Sequence, residues 1–154
     1  MKASTLRHIL NLWPPFLFTG IHVGRITPDY RNAEVEMRMR LWNRNYHNTH
    51  FGGSLFAMTD PFWALLAIHR LGNDYYVWDK AGDIEFIKPG RGVVRASFQL
   101  EDSEVEAMRA ATANGDKHFQ WFANDIIDTG GDIVARVRKQ IYVRKKPERR
   151  DRPA

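Results

Sequence analysis

The alternation of apolar and polar positions changes period several times along the chain, and each change marks an element. Leu6, Ile9, Leu10 and Trp13 recur at helical spacing around Arg7, His8 and Asn11. This predicts a short amphipathic helix over residues 4–13, packed on the body and stopped by Pro14-Pro15. Ile21–Ile26 alternates and ends at a Pro28-Asp29 turn. From Ala33 to Trp42 alternation is strict. Ala33, Val35, Met37, Met39 and Leu41 point one way and Glu34, Glu36, Arg38 and Arg40 the other, as in a half-buried antiparallel strand. Residues 53–71 are apolar on nearly every side and close at Gly72-Asn73, so they read as one long helix buried all round. Strands follow over 75–78, 83–88 and 93–100, with a Pro89-Gly90-Arg91-Gly92 turn before the last. Residues 101–113 read as a polar helix or loop ended by Asn114-Gly115. Residues 118–128 and 133–143 read as a hairpin across Thr129–Asp132. One long buried helix followed by an antiparallel meander, with no strand–helix–strand alternation, makes the fold class α+β.

The length of 154 residues fits one domain over 1–154 with a real core, and 44% apolar with 27% charged residues is a globular composition. No apolar run approaches the ~20 residues of a membrane span, and the polar breaks in the first helix are unlike a signal peptide. The chain has no cysteine, which excludes disulfides, thiolate metal sites and a Cys nucleophile and fits a reducing, cytoplasmic setting. A formal charge of +5 favours an anionic partner: nucleic acid, anionic lipid or a phosphorylated small molecule. The charge-dense tail, 145–154, lacks interleaved aromatics, so a solvated, fraying tail is expected and nucleic-acid binding is the lesser reading.

The most informative run is Asn45 to Asp60. A polar loop with two histidines and two asparagines reaches Gly52-Gly53 and turns into the apolar helix, which carries one carboxylate, Asp60. Glycine lets backbone approach a ligand, and a helix start offers unpaired N–H groups to a developing negative charge. An ionisable group in an apolar helix costs free energy unless paired or working. A reacting carbonyl needs an oxyanion donor, which the Gly52 N–H can be, and a base or carboxylate nucleophile, which Asp60 can be. Asn45 is a candidate to orient water or substrate. No G-x-S-x-G elbow occurs.

The run resembles the hot-dog superfamily, and within it the phenylacetyl-CoA thioesterase-like acyl-CoA hydrolases. These carry an Asn, a Gly-Thr, then His-Gly-Gly and an Asp eight residues after the first Gly. Asn45, Thr49, Gly52, Gly53 and Asp60 occupy those places. The strand and basic Gly turn Ile84–Gly92 matches a second motif, and the resemblance spans roughly residues 21–144. It departs at Phe51, where the family has His, and at Asn48, where it has Gly. Chains with Phe-Gly-Gly resemble a branch labelled tetrameric acyl-CoA thioesterase. The resemblance implies a curved antiparallel sheet around a central helix, an acyl-CoA substrate, no cofactor, and a homodimer or homotetramer. It assigns catalysis to Asp60, Asn45 and Gly52, with Gly53 and Thr49 at the substrate. Lys88 and Arg91 are candidates to hold coenzyme A phosphates.

Spacing adds a constraint. Eight residues on one helix separate Gly52 from Asp60 by ~12 Å, so both cannot touch one carbonyl, whereas a two-fold axis can bring Gly52 of one chain to Asp60 of another. Other readings stay open. Asp60-Pro61 is also a helix-start signature, and Phe56, Met58, Phe62 and Trp63 are core residues by default or the lining of an acyl channel. His47 and His50 read as a polar loop, and no metal is expected. A hot-dog protein that binds acyl-CoA without turnover, hinted at by Phe51, and a basic nucleic-acid module are the alternatives.

Overall fold

The computed structural model describes residues 1–147. Two short helices, α1 (Ala3–Leu12) and α2 (Pro14–Thr19), lead into β1 (Ile21–Ile26) and β2 (Asn32–Arg38). The central helical segment follows as α3 (Gly52–Ala57) and α4 (Phe62–Leu71). Then come β3 (Tyr75–Phe86), β4 (Val93–Gln99), α5 (Asp102–Ala111), β5 (Lys117–Asp128) and β6 (Ile133–Lys145). All six strands form one antiparallel sheet in the order β1-β2-β4-β5-β6-β3, so the architecture is α+β. Its inner face supplies Val23, Val35, Met37, Val94, Phe98, Val137 and Ile141, which pack with Leu55, Met58, Phe62 and Leu66 of the central segment in one core.

Several elements differ from the sequence expectation. Pro14-Pro15 stops α1 but also opens α2, because proline suits the first helical positions, where the missing N–H has no partner to lose. The strand expected to Trp42 ends at Arg38: the backbone turns there, with Arg40 N–H donating to Asn43 Oδ1, and Leu41 and Trp42 are exposed. The two strands expected over 75–78 and 83–88 are one strand carrying a bulge between Asp79 and Ala81. Residues 102–111 are helical, with Glu104 accepting the Glu101 N–H at the start. Lys145, expected at the start of a fraying tail, belongs to β6. The remainder of that tail from residue 148 lies outside the described residues.

The helix expected over 53–71 is interrupted at Met58–Pro61. Pro61 has no N–H to give the Ala57 carbonyl, which Asp60 N–H takes instead. Thr59 hydroxyl closes on the Phe56 carbonyl, and Leu65 N–H then restarts the helix on the Pro61 carbonyl.

The two edges of the sheet are treated differently. At β1, α1 lies alongside, and Asn11 pairs with Val23 as a strand would, accepting its N–H at 2.7 Å and donating to its carbonyl at 3.1 Å. At β3 the twelve-residue outer edge has no neighbour among the described residues. Among the described residues, no helix is long and apolar enough to cross a membrane.

Candidate active site

α3 runs antiparallel along the inner face of β3. A Cβ on Gly52 would come to 2.8 Å of Phe86 Cζ, and a Cβ on Gly82 would come to 2.9 Å of Phe56 Cζ. Asp60, at the far end, meets the Asp79 region of β3 through a shared lysine. The helical segment thus tracks the unpaired edge strand from Phe86 back to Asp79.

Asp60 is not buried: its side chain is 54% exposed. It makes no cap for α4, whose N-cap position is Pro61 without a side-chain hydrogen bond. Its Oδ1 instead accepts from Lys139 Nζ at 2.5 Å. Lys139 is the buried ionisable group here, 4% exposed, with Asp79 Oδ1 at 3.6 Å and the Phe56 ring centroid at 5.0 Å from its ammonium. Burial pushes the Asp79 carboxyl above the usual carboxylate range; the Lys139 charge opposes this and the Asp60 charge adds to it. Lys139 escaped the sequence reading, although a signal was present. Val137, Lys139, Ile141 and Val143 share one parity of β6, and a lysine in an otherwise apolar inward row needs a partner.

Asn45 is the hub of the loop that precedes α3. Its Oδ1 accepts the N–H groups of His47 at 2.9 Å and Thr49 at 3.1 Å, and its Nδ2 donates to Thr49 Oγ1 at 2.8 Å and the His50 carbonyl at 3.2 Å. Thr49 is buried in this network. At the helix start, Gly52 and Gly53 N–H take no hydrogen bond among the described residues, while Ser54 and Leu55 N–H reach the Phe51 carbonyl. Phe51 lies against Gly53, where a Cβ would come to 2.5 Å of its ring.

His50 joins the two sequence motifs. Its N–H donates to the Gly90 carbonyl at 2.9 Å, and its Nε2 lies 3.1 Å from the Gly92 carbonyl, which requires the proton on Nε2. Nδ1 is then a buried acceptor without a partner among the described residues, and burial holds the imidazole pKa below its usual value, partly offset by the Gly92 contact. His47 is exposed. No cluster of three His, Cys, Asp or Glu suited to a metal ion exists among the described residues.

The two cations expected at the phosphates behave differently. Lys88 is bound to Asp128 at 2.7 Å and Asp132 at 2.5 Å, closing the β5–β6 turn. Arg91 is exposed and has no ion pair among the described residues. Phe62 and Met58 are core. Trp63 stacks on Phe122 at 4.4 Å and donates to Asn124 Oδ1 at 3.2 Å. It floors a cleft of about 640 Å³ that opens where β4 and β5 diverge beyond Ala96 and Ile126. The cleft is separate from Asp60, although Phe122 pairs directly with Lys139 on the neighbouring strand.

The fold is the hot-dog fold, an antiparallel sheet packed on a central helical segment, and solved structures share it at low identity. A Pseudomonas aeruginosa structure described as a protein of unknown function and probable thioesterase aligns at TM-score 0.83, with 17% identity over 94% of this chain and 97% of that one. The E. coli PaaI protein of the phenylacetic acid degradation operon aligns at 0.64, with 17% identity over 94% and 92%. Mouse (Mus musculus) thioesterase superfamily member 2 aligns at 0.64, with 13% identity over 91% and 96%. No curated protein sequence matches the chain. Residues 2–143 match the family described as "Domain of unknown function (DUF4442)", and the chain belongs to that family.

Proposed function

We propose that the protein is an acyl-CoA thioester hydrolase whose site forms across a homodimer. The observation that carries this reading is the antiparallel run of α3 along the open edge of β3, which sets Gly52 at Phe86 and Asp60 near Asp79. β3 is the edge left open for pairing, whereas Asn11 closes β1. If β3 pairs antiparallel with its copy about a two-fold axis near Gly82 and Asp83, Phe86 of one chain stands opposite Asp79 of the partner subunit. Gly52 then approaches Asp60 of the partner subunit, the meeting that one chain cannot achieve alone. Exposed aromatics on the outer face, Trp78, Phe119 and Trp121, offer a second contact surface for a tetramer.

In the assembled site the thioester carbonyl oxygen takes the Gly52 N–H. Asp60 acts as base or nucleophile: as base it removes a proton from water that attacks the carbonyl carbon. The tetrahedral oxyanion collapses, the C–S bond breaks, and the departing thiolate takes the proton back. Asn45 shapes the loop that aims Gly52, and Arg91, which has no ion pair among the described residues, is the cation for a coenzyme A phosphate. Likeness in fold to structures described as thioesterases supports the same reading, as does the sequence resemblance of the Asn45, Gly52 and Asp60 pattern to acyl-CoA hydrolases. The test is a panel of acyl-CoAs assayed for free thiol release, short, long and aromatic. Turnover of at least one class is expected. Binding of acyl-CoA without turnover of any would replace the hydrolase by an acyl-CoA-binding protein.

A further inference from the structure

We infer that Lys139 is a positioning residue of this reaction, gripping Asp60 by one carboxylate oxygen from inside the sheet so that the other faces the substrate. The inference rests on the proposed hydrolase reading and extends it to a residue on a different strand, 79 positions along the chain.

A buried ammonium is costly, and an apolar side chain would fit the inner row of β6 at lower free energy. The surroundings nevertheless accommodate the lysine. Gly82 stands opposite it on β3, and any Cβ there would come to 2.8 Å of Lys139 Cδ and 3.1 Å of the Arg138 carbonyl. The Phe56 ring faces the ammonium, and Phe122 flanks its backbone from β5. The ionisable groups facing it are Asp60 from the α3–α4 turn and Asp79 from β3. Asp60 is the near partner at 2.5 Å and Asp79 the far one at 3.6 Å. Asp60 Oδ1 is thereby fixed, while Oδ2 has no hydrogen bond among the described residues and belongs to a half-exposed side chain. The Pro61 break frees the carboxylate from the helix and Lys139 fixes its direction. Without the lysine, two carboxylates would share one corner with nothing to hold either in place.

Lys139→Met keeps the apolar stem and removes the grip. In the folded, assembled protein it should lower kcat roughly 10²-fold, the scale of a small misplacement of a reacting group, with KM changed by less than about twofold. Asp79→Asn leaves the Lys139–Asp60 contact and should keep most of the wild-type kcat. In Lys139→Ala, added ethylammonium or propylammonium should restore part of the lost kcat by refilling the cation site, which a purely structural role would not allow. Wild-type kcat in Lys139→Met, equal losses in Asp79→Asn, or no rescue by the amines would each overturn the inference. A wild-type protein that turns over no acyl-CoA overturns the proposed function instead. The grip is then read from the Asp60 side-chain carboxyl carbon by NMR. Its resonance should move far more in Lys139→Met than in Asp79→Asn, and equal shifts would reject it.

Discussion

Gly52 lies directly beneath the Phe86 ring, so that a Cβ on Gly52 would come to 2.8 Å of Phe86 Cζ and 3.2 Å of Cε1. The glycine therefore does more than free a turn: it lets an edge-strand aromatic pack against the backbone at the start of α3. Phe51 does the same at Gly53 from within the loop. Two aromatic rings thus pack against the two glycines whose N–H groups find no hydrogen bond among the described residues.

Gly52→Ala should separate an oxyanion role from stability. Alanine favours the helix over glycine by roughly 1 kcal/mol, and the half-exposed Phe86 ring can swing aside. The melting temperature should stay within a few degrees of wild type, on the scale of ~1 kcal/mol, while kcat falls at least about tenfold. Thermal melts beside steady-state kinetics decide it; unchanged kcat would remove Gly52 from the oxyanion role.

The open β3 edge makes association the second expectation. Sedimentation equilibrium at micromolar concentration should give at least twice the 17.9 kDa chain mass. A charge at the exposed inner-face position of the edge, Phe86→Lys, should shift the equilibrium toward monomer and lower activity with it. A stable monomer that turns over substrate at the full rate would eliminate the shared site.

For Asp60→Asn the expected loss is ~10²–10⁴ in kcat, the scale of a removed general base. Asn can still accept from Lys139, so the fold should persist, as circular dichroism and the oligomer mass would report. Near wild-type turnover would return Asp60 to a structural partner of Lys139.

Much of this was legible beforehand because the sheet and the loop are governed locally. Strict alternation identified β2, and turn residues marked the β5–β6 hairpin. The Asn45–Asp60 run identified the loop and the helix start. Two of the misreadings depended on partners distant in sequence and one on a local turn. Asp60 was read as a buried acid because its helix is apolar, yet the interruption at Pro61 turns it outward to Lys139. Lys88 was read as a free turn cation, but the fold brings Asp128 and Asp132 to it from the far end of the chain. The 33–42 strand was read too long because Met39 and Leu41 continue an alternation that the Asn43 turn cuts off.

The last expectation concerns His50 and acid. Its imidazole is buried, donates from Nε2 to the Gly92 carbonyl and has no partner for Nδ1 among the described residues, so burial holds its pKa below the ordinary ~6.5. In the unfolded chain the ring takes a proton near that ordinary value; in the folded chain it does so only at lower pH. Between the two values the unfolded state binds more protons, and stability rises with pH. The His50 contribution is complete above ~6.5 and is lost as pH falls toward the folded value. Because His50 clamps the site loop to the Gly90–Gly92 turn, protonation loosens both motifs together. Denaturant midpoints should therefore drop from about pH 7.5 to about pH 5 more in wild type than in His50→Gln, which cannot titrate and can still donate one hydrogen bond. Equal drops would mean that His50 is proton-accessible in the folded state, and that the acid response belongs to other groups.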